Sequence, residues 1–278
     1  MGGLVISRGR RRALGQHWLV EGRYLHRIAE AARPSPNDTV IEVGAGPGNL
    51  TRFLLPYCSR LIAVEVDERL ASLLQDRFSG TPHLWVVQAD VLQVTPAELL
   101  AIAGAGAPYV VVGNLPFSIG TAVVRHFLRA TSQPRWLVVT LQLEVAQSMV
   151  APPGKMSYLS VETQLLTIPR LLFVIPPWAF RPPPKVYSAV VRLEVRPQPL
   201  VPAEDMEALL KVAQAGFAAP RKQIRNSLAL GLKVSPQVAE AFLKAASIDP
   251  SRRPGDLTLE DWLRLFQAVR PRGQVGHG

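Results

Sequence analysis

Glu42-Val43-Gly44-Ala45-Gly46-Pro47-Gly48-Asn49-Leu50-Thr51 is the first segment whose residue types can do chemistry. It follows an apolar run and opens a helical pattern. Glycines at such a junction let the backbone turn sharply and approach a ligand, with helix N–H groups facing it. Their G-x-G-x-G spacing puts Asn49 nearest to where a dinucleotide fingerprint has its third glycine, which disfavours a pyrophosphate. A plain strand-to-helix turn also uses these residues. Glu65 stands 21 residues after Gly44, where an acid can accept from both hydroxyls of a ribose. Asp67 and Glu68, two and three residues on, suit the ordinary role of acids in a first helical turn. Asp90, in Gln88-Ala89-Asp90, can accept from the exocyclic amine of an adenine or cap a helix, and both readings stand.

The most specific segment is Gly113-Asn114-Leu115-Pro116-Phe117, directly after the run Tyr109-Val110-Val111-Val112. An adenine amine is a poor nucleophile because its lone pair is delocalised into the ring. A carboxamide oxygen on Asn114 and a backbone carbonyl can accept both amine hydrogens, which favours tetrahedral nitrogen and frees that lone pair. Pro116 stiffens the loop, and Phe117 offers a face for an extruded base. An isolated turn built on Asn and Pro has the same composition.

These loops need a scaffold, and the hydrophobic pattern describes one. Strands are expected over residues 39–43, 61–65, 85–88, 109–112, 136–141, 171–175 and 189–195. Helices are expected near 22–32, 48–56, 67–77, 119–130 and 156–167. Continuous apolar strands alternating with helices predict a doubly wound α/β domain, with the Gly44 and Asn114 loops across its switch-point crevice. After Pro197 and Pro199 the strand signals stop. Four helices follow, near 203–216, 220–230, 236–246 and 258–269, the last capped by Thr258 with Asp261 three residues on. The expected domains are therefore residues 1–197 and 198–278.

The 278 residues are 48% hydrophobic and 19% charged, which excludes wholesale disorder. The longest apolar runs are too short to span a bilayer, and residues 1–6 carry no signal-peptide pattern. Cys58 is the only cysteine and the five histidines have no metal-ligand spacing, so no structural metal is expected and a reducing cytoplasm is. The net charge of +10 is unevenly spread. Residues 1–40 and 196–278 each contribute +4, leaving +2 for the 155 residues between. Two basic ends around a near-neutral middle suit a body that grips a polyanion.

Taken in order, these segments resemble the ribosomal RNA adenine dimethyltransferase family, the kasugamycin-sensitivity group, over nearly the whole chain. Leu14-Gly15-Gln16-His17-Trp18-Leu19 is similar to the segment that closes over the cofactor, and Gln142-Leu143-Glu144-Val145-Ala146 to a second family motif. Phe180-Arg181-Pro182-Pro183-Pro184-Lys185-Val186-Tyr187-Ser188 resembles the family's hairpin. Phe217, Arg221–Leu228 and Arg253–Thr258 match its tail. Phe117 replaces the commoner Tyr, Trp18 a Phe and Tyr187 an Asp, and Lys155–Ser160 departs from the family's loop.

The resemblance implies a Rossmann-like methyltransferase domain with a small helical domain. It also implies S-adenosylmethionine as cofactor, and two methyls added to each of two neighbouring adenines near the 3′ end of small-subunit ribosomal RNA. By position, His17, Leu19, Gly44, Gly46, Glu65, Asp90 and Asn114 would hold the cofactor, and Asn114, Leu115, Pro116 and Phe117 would form the catalytic loop. Phe180 would be a second wall for the base. Arg8, Arg10, Arg11 and Arg12 at the front, and Arg221, Lys222 and Arg225 in the tail, would meet RNA phosphates. The expected partner is the assembling small subunit, with no membrane and the chain acting as a monomer. The alternatives are a macrolide-resistance enzyme of the large subunit, a non-catalytic assembly factor on the same fold, and a nicotinamide oxidoreductase, which the glycine spacing disfavours.

Overall fold

Residues 17–34 and 38–270 are described by a computed structural model. In chain order the strands are β1 (Trp18–Leu19), β2 (Thr39–Val43), β3 (Arg60–Glu65), β4 (Leu84–Gln88), β5 (Tyr109–Asn114), β6 (Trp136–Gln142), β7 (Thr167–Ile175), β8 (Phe180–Arg181) and β9 (Ser188–Val195). The α-helices are α1 (Gly22–Ala32), α2 (Thr51–Leu54), α3 (Glu68–Arg77), α4 (Pro96–Ile102), α5 (Gly120–Leu128), α6 (Leu143–Met149), α7 (Tyr158–Leu166), α8 (Ala203–Gly216), α9 (Ile224–Leu232), α10 (Pro236–Ala245) and α11 (Leu259–Val269).

The buried apolar runs become parallel strands in the order β4-β3-β2-β5-β6, followed by β9, antiparallel to β6, and by β7 at the edge. The order reverses between β2 and β5, and loops leaving the carboxyl ends of two such strands diverge to open a crevice. The register from Thr39–Tyr109 to Glu42–Val112 brings Gly44 and Asn114 out side by side. This is the α/β, Rossmann-like class that the alternation predicts. The sequence reading missed α4, although Thr95-Pro96 opens it with a capping box closed by Glu98. It also missed α6 and the two-residue pairing of β1 with β8.

The chain divides into two units, one ending at Ala146 and resuming over Arg170–Val195, the other made of Gln147–Pro169 and the chain from Arg196 on. This corrects the expected split of 1–197 and 198–278. Its second boundary lies within two residues of 197, but residues 147–169 go with the tail. Burial is the reason. Met156, Val161 and Leu165 share one apolar cluster with Leu209, Leu228, Leu243, Leu257 and Trp262. The departing loop is fastened there too, since the N–H groups of Gly154 and Met156 both donate to the Gly255 carbonyl, at 2.8 and 3.2 Å. Thr258 caps α11 as predicted, exchanging bonds with Asp261. Among the described residues no helix is long and apolar enough to cross a membrane.

Inside the helical unit α8 and α9 touch backbone to backbone. A methyl group on Gly231 would lie 2.2 Å from the Ala215 carbonyl oxygen. No side-chain rotation relieves such a clash, so Gly231→Ala must push the helices apart. Overpacking of this kind costs roughly 1–3 kcal/mol. Chemical denaturation should show that loss, and an unchanged midpoint would mean that the helices do not need this close approach.

Candidate active site

Glu65 ends β3 and is only 3% exposed. Its Oε2 accepts the N–H of Gly46 at 2.8 Å and its Oε1 that of Asp67 at 3.0 Å. The first bond holds the glycine turn, where Gly46 has φ +56°, a left-handed conformation that a side chain disfavours. The N–H groups of Gly44 and Ala45 donate to the Val64 carbonyl, and Arg77 Nη1 donates to that of Pro47 at 2.7 Å. The turn is thus fixed from both sides. Each Glu65 oxygen keeps a second acceptor position. Asp67 caps α3, the ordinary role expected of it.

Asn114 closes the facing side. A methyl group on Gly44 would lie 3.9 Å from both the Asn114 carbonyl oxygen and Pro116 Cδ, so the two loops are neighbours. Asn114 Nδ2 donates to the His17 carbonyl at 3.0 Å. A carbonyl only accepts, so the carboxamide must present its amine there, which fixes Oδ1 as the other end. Leu115 is buried at 2% and anchors the loop, and the Pro116 carbonyl accepts from Ile119 N on the way into α5. Phe117 is half-buried, its ring centroid 5.6 Å from that of His17.

One cleft is lined by His17, Trp18, Gly44, Glu65, Asp90 and Asn114, with Val66, Val91, Pro116 and Ile119 as apolar walls. Asp90 is a cap, as one of its two readings has it, and it also lines the cleft. Its Oδ1 caps the turn after β4 through Leu92 N at 3.0 Å, while the residue lines the cleft. Leu19 is buried beside the cleft, and its carbonyl accepts from Asn49 Nδ2 at 3.0 Å. In the sequence Asn49 serves only to exclude a third glycine. Trp18 stands out there only as a substitution, yet its Nε1 and Cδ1 lie 3.3 and 3.4 Å from where a Gly46 side chain would begin.

One expectation is corrected. Phe180 offers no face to a base: it is 1% exposed in an apolar cluster with Leu19, Leu25, Ile175 and Ala179, because β8 pairs with β1. Arg225 has an acidic neighbour. Its Nη1 lies 3.1 Å from Glu240 Oε2 in the helical unit. Arg221 and Lys222 are exposed. Arg8, Arg10, Arg11 and Arg12 lie outside the described residues.

A model of the family described as ribosomal RNA adenine dimethylase matches residues 8–270. The chain belongs to that family. It is 41% identical over 255 residues to a protein of Dehalococcoides mccartyi named ribosomal RNA small subunit methyltransferase A, covering 92% of this chain and 87% of the relative. A protein of that name from Phenylobacterium zucineum is 41% identical over 280 residues, covering 95% and 93%. Among solved structures, the 23S rRNA methyltransferase ErmE is similar at a TM-score of 0.72 and 31% identity over 91% of this chain and 99% of that one. A dimethyladenosine transferase of Plasmodium falciparum shares the fold, with a TM-score of 0.74 at 22% identity over 90% and 96% of the two chains. As a ribosomal RNA adenine dimethylase, the chain is an S-adenosylmethionine-dependent methyltransferase. The cleft fits that nucleoside, with acceptors at Glu65 and Asp90 set among apolar walls.

The dimethylase also buries an acid that the sequence reading passed over. Glu42 on β2 is 1% exposed and accepts from Thr51 Oγ1 at 2.7 Å. Burial, outweighing the Thr51 bonds and aided by the charge of Glu65, pushes its carboxyl up from 4.5 to about 8. The folded chain therefore keeps a proton at neutral pH that the unfolded chain releases above pH 4.5. The contribution of Glu42 to folding stability falls as pH rises from 4.5 to about 8, by on the order of 1 kcal/mol per pH unit. Glu42→Gln keeps an acceptor for Thr51 and removes the titration. Unfolding of the variant at pH 5, 6.5 and 8.5 should show it gaining on the parent with each step, and parallel profiles would disprove a buried neutral Glu42.

Proposed function

We propose that the chain dimethylates two neighbouring adenines near the 3′ end of small-subunit ribosomal RNA. The observation that carries the chemistry is the Asn114 bond to the His17 carbonyl, which turns Oδ1 away from the lid in a cleft shared with Glu65 and Asp90. Glu65 accepts from the two ribose hydroxyls of the cofactor with the acceptor positions that Gly46 and Asp67 leave. Asp90 takes its adenine amine through the oxygen not used as a cap. Bound S-adenosylmethionine supplies an electrophilic methyl on a positively charged sulfur. Asn114 Oδ1 and the Leu115 carbonyl accept the hydrogens of the target amine, the Pro116 carbonyl being committed to Ile119. The lone pair then points out of the ring plane, and Phe117 stacks on the extruded base. The cationic segments serve as phosphate contacts, with Arg221 and Lys222 better suited than Arg225, and the chain works as a monomer in the cytoplasm.

Choice of the small subunit is supported by relatives of that name at 41% identity, against 31% for the solved large-subunit enzyme. The tail segment Arg253-Pro254-Gly255-Asp256-Leu257-Thr258 also resembles the small-subunit group. The test is labelled methyl transfer to small and large subunits that lack the modification, followed by nucleoside analysis. Dimethyladenosine should appear in the small subunit, and label confined to the large subunit would overturn the choice.

Three variants separate the roles in the cleft. Asn114→Ala should slow single turnover by about 100-fold, the usual size for loss of one preorganised hydrogen-bonding group. Asn49→Ala loses the Leu19 tether but keeps the His17 bond to Asn114, so it should weaken cofactor binding more than it slows the bound rate. Phe117→Ala should weaken RNA capture roughly 5- to 100-fold, the range for removal of one base stack. Full single-turnover activity in Asn114→Ala would end the proposed mechanism.

A further inference from the structure

Among the described residues, half of the twelve exposed large hydrophobic side chains fall in three short stretches of the methyltransferase unit: Trp18, Val20, Val174, Trp178, Val186 and Tyr187. Trp178 is the largest, 51% exposed. An exposed aromatic side chain set among other rings and cations is a candidate contact for a partner. Around Trp178 the surface is organised. The guanidinium of Arg23 lies 4.9 Å from the centroids of both Tyr24 and Trp178. Arg27 lies 3.9 Å over Phe173, and the Tyr24 and Phe173 rings stack at 6.3 Å. Arg23 and Arg27 are both exposed on α1. Glu21, the acid beside them, reaches Arg23 Nε only at 3.8 Å.

We propose that this aromatic and arginine patch binds unpaired nucleotides of the RNA substrate that flank the target adenine. The inference rests on the chain acting on ribosomal RNA, not on which subunit supplies it. Aromatic faces set among guanidinium groups take single strands, because every base has a π-face and every linkage a negative charge. Two features tie the patch to the cleft. The Ala179 carbonyl, next to Trp178, accepts the N–H groups of Val20 and Glu21. Arg181 Nη1 donates to the Trp178 and Phe180 carbonyls. The segment that follows Trp178 thus pairs with β1, which begins one residue after the His17 whose carbonyl accepts from Asn114. Extrusion of one base breaks its stack with a neighbour, and a stacking face beside the lid replaces that interaction.

The test is binding of the full chain to a fluorescent ten-nucleotide oligoadenylate across a salt series, with cofactor titration as a parallel readout. Trp178→Ala should weaken binding roughly 5- to 100-fold, and Trp178→Phe should recover most of the loss. Arg23→Gln with Arg27→Gln should lower the slope of log affinity against log salt by about 0.7 for each phosphate no longer neutralised. Cofactor affinity should not move in any of them, which guards against a folding defect. Unchanged affinity and slope in all three variants, or no binding by the parent chain, overturns the proposal and leaves the patch to a protein partner. If Trp178 governs RNA binding while small subunits accept no methyl, the patch stands and the small-subunit reading falls.

Discussion

Everything in the cleft leans on one buried carboxylate. Glu65 accepts from Gly46 and Asp67 together, so one side chain ties the glycine turn after β2 to the start of α3 after β3. A buried carboxylate survives only when hydrogen bonds replace its water, and two backbone N–H groups do that. The second acid nearby cannot share this solution. Glu42 has the Thr51 hydroxyl as donor, and burial leaves it neutral up to a pH of about 8. Two charges under one glycine turn would repel, and the Coulomb effect of Glu65 adds to burial in favouring the protonated form of Glu42.

The lid and the catalytic loop are a single hydrogen-bonded assembly. Asn114 holds the His17 carbonyl, Asn49 holds that of Leu19, and His17 Nδ1 lies 2.8 Å from the Pro182 carbonyl. Asn49 donates to Leu19 in the strand that pairs with β8, and Asn114 to His17, the residue just before that strand. The placement of residues 17–19 therefore orients the Asn114 carboxamide, so that segment and the Asn114 loop are linked physically. Uniform tight binding of the cofactor would add nothing to rate; orienting Asn114 does.

Much of this is legible in the sequence because it depends on local pattern. Buried strands read as apolar runs, the glycine turn and Asn114 loop sit at strand ends, and Glu65 is set by its distance from Gly44. What is not legible depends on partners far along the chain. Phe180 looks available until its pairing opposite Leu19 puts it in the core. The ion pair of Arg225 with Glu240 on α10 joins residues 15 apart that no local pattern links. Helix α7 has the same apolar pattern whichever unit buries it, and only the cluster with Leu209 and Trp262 assigns it to the second. The proton on Glu42 needs three-dimensional burial, which no local motif encodes.

Substrate choice cannot reside in the fold as a whole. The same fold covers 91% of this chain in an enzyme named for 23S ribosomal RNA, while the relatives at 41% identity are named for the small subunit. Contacts to phosphates set position and carry no sequence information directly, so the proposed phosphate contacts cannot choose between the two RNAs. Single-stranded RNA is distinguished by which bases are splayed out and by the faces that receive them. Discrimination must then come from surfaces that take flanking nucleotides in one arrangement, held rigidly relative to Asn114. In the methyltransferase unit, the proposed Trp178 surface suits that requirement, because the segment after Trp178 pairs with β1, next to the His17 carbonyl that accepts from the Asn114 carboxamide.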